Sequence, residues 1–238
     1  MHIIGILTQL SRKMHPAVEN LHFLHLPVSL RRIAQREQMR YDTHMKAVIF
    51  MGSPRQAGNT AALCRPFMER LALLGWENRY ITLADKHISP CRGYYVCQDV
   101  SGCYGCAQKD DMQPIVEAIL SADLIVLATP VYTWYCPAEM KAMLDRLYGM
   151  NKYYGTGSGS LWRGKCVAIL ATHGYAADDA LTPFATGVSR LCTHSALRYC
   201  GAYSVRDEND LASFQTEEAI AGAQAFAETL DLAVRAPV

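Results

Sequence analysis

Side chains capable of chemistry collect in four short stretches. Gly52-Ser53-Pro54-Arg55-Gln56-Ala57-Gly58-Asn59-Thr60 is a polar loop between an apolar run and an amphipathic one. Such a loop can wrap backbone N–H groups around an anion, add hydrogen bonds from Ser53, Asn59 and Thr60, and hold the anion where a helix dipole favours negative charge. It is not a P-loop, because no Gly-Lys-Ser/Thr follows at the required spacing, and it is not the Gly-x-Gly-x-x-Gly dinucleotide fingerprint. Its alternative reading is an ordinary loop with Asn59 or Thr60 as helix N-cap. Thr129-Pro130-Val131-Tyr132-Thr133-Trp134-Tyr135 sets three aromatic rings beside a proline, as the walls of a site for a flat ligand would be; the alternative is rim packing or a subunit interface. Ala171-Thr172-His173-Gly174 offers His173 as a donor to a ligand or as a structural residue. Cys91, Cys97, Cys103 and Cys106 crowd into one loop ahead of Asp110-Asp111-Met112. Clustered cysteines in a reducing compartment point to metal or redox chemistry rather than disulfides, whereas Cys136 reads as a small packed residue.

The elements that must position these stretches alternate between strand and helix. Ala47–Met51 is a short apolar strand, and residues 60–74 place Leu63, Phe67, Leu71 and Leu74 on one face of a helix closed by Gly75. Further strands are expected at 79–83, 123–128, 166–171 and within 196–205, with helices at 112–120, 138–148 and 213–234. Asp123–Ala128 is apolar almost throughout, as a strand covered on both faces should be. Alternation of this kind predicts a doubly wound α/β fold: a parallel five-stranded sheet with helices on both faces and ligands at the carboxyl ends of the strands. All three non-cysteine stretches fall at such ends.

Composition narrows the class of protein. With 238 residues, 23 Lys+Arg against 22 Asp+Glu and 50% hydrophobic residues, the chain has the makings of a globular core. Near-neutral charge excludes a nucleic-acid binder that works through overall positive charge, and an acidic disordered chain. No run of 18 apolar residues occurs, which excludes a transmembrane helix, and no secretory signal is recognisable at the N-terminus, so a cytoplasmic, membrane-free protein is expected. Charge is unevenly spread: residues 1–44 hold six basic and three acidic residues, five of the eight histidines and no cysteine, and the remainder carries 17 basic against 19 acidic residues. Residues 1–44 are read as a dispensable extension, with a targeting or partner-binding arm as the rival reading; a short helix is possible at 33–40. Residues 45–238 are the working domain. The Gly/Ser-rich stretch Tyr153–Ser160 reads as a solvated connector, or as a gate to the strand-end pocket.

The strand-end stretches carry a family resemblance. Gly52-Ser53-Pro54-Arg55-x-x-Gly58-Asn59-Thr60 after an N-terminal strand resembles the FMN phosphate loop of the flavodoxin-like NAD(P)H-dependent FMN reductases and iron–sulfur flavoproteins. Thr129-Pro130-Val131-Tyr132-Thr133-Trp134-Tyr135, followed by Lys141-x-x-Leu144-Asp145-Arg146, resembles the family segment whose backbone and aromatic side chains border the isoalloxazine ring. Ala171-Thr172-His173-Gly174 matches a third loop against the flavin. The resemblance implies FMN bound by Ser53, Arg55, Gly58, Asn59, Thr60, Pro130, Val131, Tyr132, Thr133, Trp134, His173 and Gly174. It also implies a flavodoxin-like fold and a homodimer or homotetramer. The cysteine loop resembles the one in which iron–sulfur flavoproteins hold a [4Fe–4S] cluster; Cys91, Cys97 and Cys106 match the first, third and fourth ligand positions, Tyr94 stands at the second, and Cys103 is the candidate replacement. A cluster, tetrahedral zinc on the same four cysteines, and a metal-free loop with free or reversibly oxidised thiols all remain open.

The activity implied is passage of electrons from NAD(P)H through FMN to a small-molecule acceptor such as a quinone or flavin. Hydride transfer to a flavin depends on positioning more than on an acid or base, so no catalytic side chain is expected. The alternatives are an iron–sulfur flavoprotein that exchanges electrons with a protein partner such as ferredoxin, and a flavin-free regulatory or scaffold domain.

Overall fold

In the computed structural model, residues 44–152 and 159–236 are described. The expected extension over 1–44, His44 apart, and most of the Tyr153–Ser160 stretch lie outside the described residues.

Five strands make the sheet: β1 (Met45–Met51), β2 (Trp76–Thr82), β3 (Leu124–Pro130), β6 (Cys166–His173) and β7 (Arg198–Arg206). Two-residue strands β4 (Asn151–Lys152) and β5 (Gly159–Ser160) form a small antiparallel pair of their own. All pairings in the large sheet are parallel, in the order β2-β1-β3-β6-β7. The chain leaves β1 toward β2 on one side and returns through β3 on the other, so the carboxyl ends of β1 and β3 diverge around a switch point, where open α/β sheets bind ligands. The expected five-stranded doubly wound fold is therefore present.

The helices are α1 (Asn59–Leu73), α2 (Met112–Ser121), α3 (Ala138–Arg146), the single turn α4 (Ala177–Ala180), α5 (Thr182–His194) and α6 (Glu217–Arg235). They cover both faces because strand residues alternate between them. Val48, Phe50, Ile125, Leu127, Val167 and Ile169 pack under α2, α3 and α5; Ala47, Ile49, Met51, Val126, Ala168 and Leu170 pack under α1 and α6. Leu63, Phe67 and Leu71 of α1 are wholly buried, each worth about 1.5–3 kcal/mol over exposure. The central strands β3 and β6 are buried along their whole length, which explains their uninterrupted apolar runs.

Several expected boundaries move. β2 begins at Trp76 and stops before Leu83, which opens a 3-10 turn. The helix expected to run through Tyr148 ends at Arg146 and tightens into a 3-10 turn, Leu147–Met150. The final helix begins at Glu217, where the Thr216 hydroxyl accepts from the Ala219 N–H, so the expected start at Ser213 falls in a preceding 3-10 turn. Helix α5 has no counterpart among the expected elements, and it supplies Phe184, Val188 and Cys192 to the core.

Candidate functional site

The loop after β1 is built around backbone donors. The Gly52 N–H donates to Ala128 O at 2.8 Å, which ties the loop to β3. A Cβ on Gly52 would lie 2.9 Å from Met140 Cε and 3.3 Å from Thr129 Oγ1, so glycine permits this close passage. The buried Ser53 Oγ accepts from the Arg55 N–H at 3.1 Å, and the Gly58 N–H closes the turn onto Arg55 O at 3.2 Å. The N-cap of α1 is Gly58, which has no side chain to give, and the first turn carries no acidic residue. Asn59 and Thr60 are therefore not the cap; they stand inside the helix, and the first N–H groups of α1 face the strand ends without a side-chain acceptor. That is the donor set a phosphomonoester needs. Asn59 Nδ2 donates to Asp207 Oδ2 at 2.8 Å, and the Thr60 and Thr172 hydroxyls pair at 2.9 Å, so the ends of β6 and β7 orient both side chains.

The second wall follows β3. Val131 N–H donates to Thr172 O at 2.7 Å, and Tyr132 and Tyr135 exchange N–H···O bonds of 2.8 and 3.0 Å across a tight turn. Its two central residues, Thr133 at φ 50° and Trp134 at φ 62°, both lie in the left-handed region, as a type I′ turn requires. For a β-branched residue that conformation costs on the order of 1–3 kcal/mol, and strain of this kind is concentrated at functional sites. The turn holds the rings of Tyr132 and Trp134 outward, 45% and 44% exposed. Trp134 stacks in parallel on Tyr175, with centroids 5.8 Å apart and planes 8° apart. Tyr135 turns inward, edge-on to Phe184 at 5.1 Å, and so belongs to the core side of the turn.

His173 is at the end of β6, but its ring is spent inside the protein. Nδ1 donates to Tyr175 O at 2.7 Å, which leaves Nε2 to accept from the Ser204 hydroxyl at 3.0 Å. The imidazole is buried and both nitrogens have partners, so it serves to place Tyr175 under Trp134. Gly174 follows on the exposed rim, its carbonyl accepting from Arg206 Nε at 3.2 Å.

The cysteine loop is held to the elements behind it. Arg146 of α3 forms a buried two-point pair with Asp110 at 2.6 and 3.0 Å and donates to Ser89 O at 2.8 Å. Burial alone would raise the Asp110 pKa; the Arg146 guanidinium and the N–H groups of Ser89 and Met112 outweigh it and hold the carboxyl below the usual range. Lys152 Nζ donates to Cys97 O at 2.6 Å and Tyr104 O at 3.0 Å. Desolvation lowers the pKa of this ammonium, against an opposing pull from the Cys97 and Cys103 side chains.

Cys91 and Cys103 are exposed and Cys97 and Cys106 half-buried. Among the described residues no three Cys, His, Asp or Glu side chains come together as metal ligands, so Cys91, Cys97, Cys103 and Cys106 are not gathered. A [4Fe–4S] cluster or a tetrahedral zinc on this loop would need the four thiolates to converge. Cys136 is buried as expected, its thiol pushed up to about 12 by burial.

Thus Ser53, Arg55, Gly58, Asn59 and Thr60 stand together at one strand end, with Pro130 through Trp134 at the next. Asp207, Thr172, Ser204 and Tyr175, which hold Asn59, Thr60, His173 and Trp134, were absent from the expected site. An apolar cavity lined by Phe50, Leu127, Trp162 and Val188 lies inside the core, away from the strand ends, and offers no polar group to a ligand.

Comparison with known proteins agrees with this arrangement. A family model described as NADPH-dependent FMN reductase matches residues 45–191. An iron–sulfur flavoprotein of Methanocaldococcus jannaschii is 37% identical over 102 residues, 43% of this chain and 51% of that protein. FMN-dependent NADH:quinone oxidoreductase 8 of Burkholderia lata is 40% identical over 81 residues, 32% of this chain and 39% of that protein. The chain spans about half the length of the iron–sulfur flavoproteins it matches. Among solved structures, an NAD(P)H:quinone oxidoreductase from Methanothermobacter marburgensis superposes with a TM-score of 0.61 at 18% identity, covering 79% of this chain and 98% of that one. At that identity the likeness concerns the fold.

Proposed function

This chain belongs to the NADPH-dependent FMN reductase family, and from that premise we propose that its strand ends bind FMN and that it passes electrons from NAD(P)H to a small-molecule acceptor, a quinone being the favoured class. The observation that carries the proposal is the α1 N-terminus: a glycine cap, no acidic residue in the first turn, and Ser53, Asn59 and Thr60 around the donors. Bound there, the flavin supplies hydride acceptance and one- or two-electron delivery.

The residues of this chain do the holding. The N–H groups of α1 and the side chains of Ser53, Arg55, Asn59 and Thr60 bind the phosphate. Pro130 through Trp134 border the ring, with the peptide groups of the tight turn as hydrogen-bonding partners for its polar edge. Trp134, backed by Tyr175, shields the site from water on one side. His173 takes the positioning role its two hydrogen bonds give it, and Gly174 stays at the rim. The acceptor and the nicotinamide share the open side, where placement rather than proton transfer sets the rate.

A cytoplasmic location with reduced thiols, and a homodimer or homotetramer, form part of the same proposal. The ferredoxin-linked carrier is the rival reading. Titration of the purified protein with FMN, followed by NADPH and then a quinone, tests the proposal. Stoichiometric binding, bleaching and recovery of the oxidised flavin band support it; failure to bind FMN would overturn it.

A further inference from the structure

The ammonium of Lys152 occupies the place where the cysteine loop closes on itself. Lys152 is 2% exposed, and among the described residues its ammonium is satisfied by the carbonyls of Cys97 and Tyr104 at 2.6 and 3.0 Å. A buried ammonium held this way draws two distant points of one loop onto a single atom. The neighbouring residue adds a second pin: Asn151 O accepts from Gln98 Nε2 at 2.8 Å, while the Asn151 side chain is fixed by Ser195 Oγ at 2.8 Å and Trp162 Nε1 at 3.1 Å. Packing closes the same region. Tyr104 is buried so tightly against Gly149 that a Cβ there would lie 2.9 Å from its ring, and a Cβ on Gly105 would lie 2.6 Å from Val100. Further along, the Arg146–Asp110 pair fastens the loop's exit to α3. From Cys97 to Asp110, then, the loop is shaped by protein groups.

We propose that Lys152 is a positioning residue that locks the 91–106 loop in place, so that the loop keeps its shape without a metal ion to draw it together. The proposal does not depend on FMN binding.

The test uses the full chain purified without oxygen from iron-supplied cells. Iron and acid-labile sulfide are measured, and hydrogen exchange is followed over peptides covering residues 91–111. The proposal expects iron well below one per chain and exchange protection that a chelator leaves unchanged. Lys152→Met is expected to speed exchange of residues 97–106 by about tenfold or more with β1 and β3 unaffected, the effect of losing two charge-assisted hydrogen bonds. Replacing all four loop cysteines by serine is expected to leave protection within about twofold of the parent. Should Lys152→Met fail to fold, Gln98→Ala removes the second pin and is expected to loosen the same residues by a smaller factor. Iron and sulfide in cluster amounts, loss of protection on chelation or in the four-serine variant, or unchanged exchange in Lys152→Met and Gln98→Ala would each overturn it.

Discussion

At the scale of single residues, the site is a set of side chains aimed by others far away in sequence. Asn59 is poised by Asp207 and Thr60 by Thr172, so the proposed phosphate site depends on three strand ends at once. Asn59→Ala is expected to weaken FMN binding by about tenfold or more, the worth of a hydrogen bond to a charged group, and to leave riboflavin binding nearly unchanged, since riboflavin lacks the phosphate. Fluorescence titration with the two ligands measures the difference. The Arg146–Asp110 pair makes a second prediction. Asp110→Asn leaves a buried guanidinium without its counter-charge and is expected to cost about 3–5 kcal/mol in urea unfolding at neutral pH. Because the Asp110 carboxyl is held below its usual range in the folded protein, its contribution is complete above the unfolded value, roughly pH 4, and is lost as pH falls through the lower folded value. The gap between parent and variant should therefore close on acidification, and a gap that widened would contradict the assignment.

At the scale of elements, the strained turn after β3 is the piece most specialised for function. Thr133 and Trp134 hold left-handed conformations, and the turn leaves the rings of Tyr132 and Trp134 half-exposed. Trp134→Ala removes an exposed stack and is expected to change stability by no more than about 1.5 kcal/mol, yet to weaken FMN binding and alter the flavin's fluorescence. Equal FMN affinity in the variant would remove Trp134 from the site. Elements were legible where burial is two-sided: β1, β3 and β6 are apolar because both faces are covered, and such runs announce themselves. Helix α5 was not legible, because Pro183 and Gly187 interrupt it and Thr, Ser and Ala fill the spaces between Phe184, Val188 and Cys192. The glycine-rich phosphate loop could be read from residue types at one strand end. Its support from Asp207 could not, as the partner is 148 positions away on a strand end with no motif of its own. The fastening of the cysteine loop was equally hidden, because Lys152 lies outside the loop's own sequence.

At the scale of the molecule, the proposed site draws on the ends of β1, β3, β6 and β7: the family model matches residues 45–191, and the supports Ser204 and Asp207 lie beyond that span. The chain from Met45 onward is accordingly expected to fold and bind FMN alone, with a melting temperature within about 2 °C of the full chain, a difference worth well under 1 kcal/mol for a domain of this size. A large loss on removing residues 1–44 would give that segment a structural role. The central claim, that these strand ends hold a flavin which takes electrons from a nicotinamide and gives them up again, is tested most directly by mixing the FMN-loaded protein with NADPH or NADH in a stopped-flow spectrometer without oxygen. Rapid bleaching of the oxidised flavin band, reversed by adding a quinone, is the predicted result; a bound flavin that stays oxidised at millimolar concentrations of both nicotinamides would contradict the account.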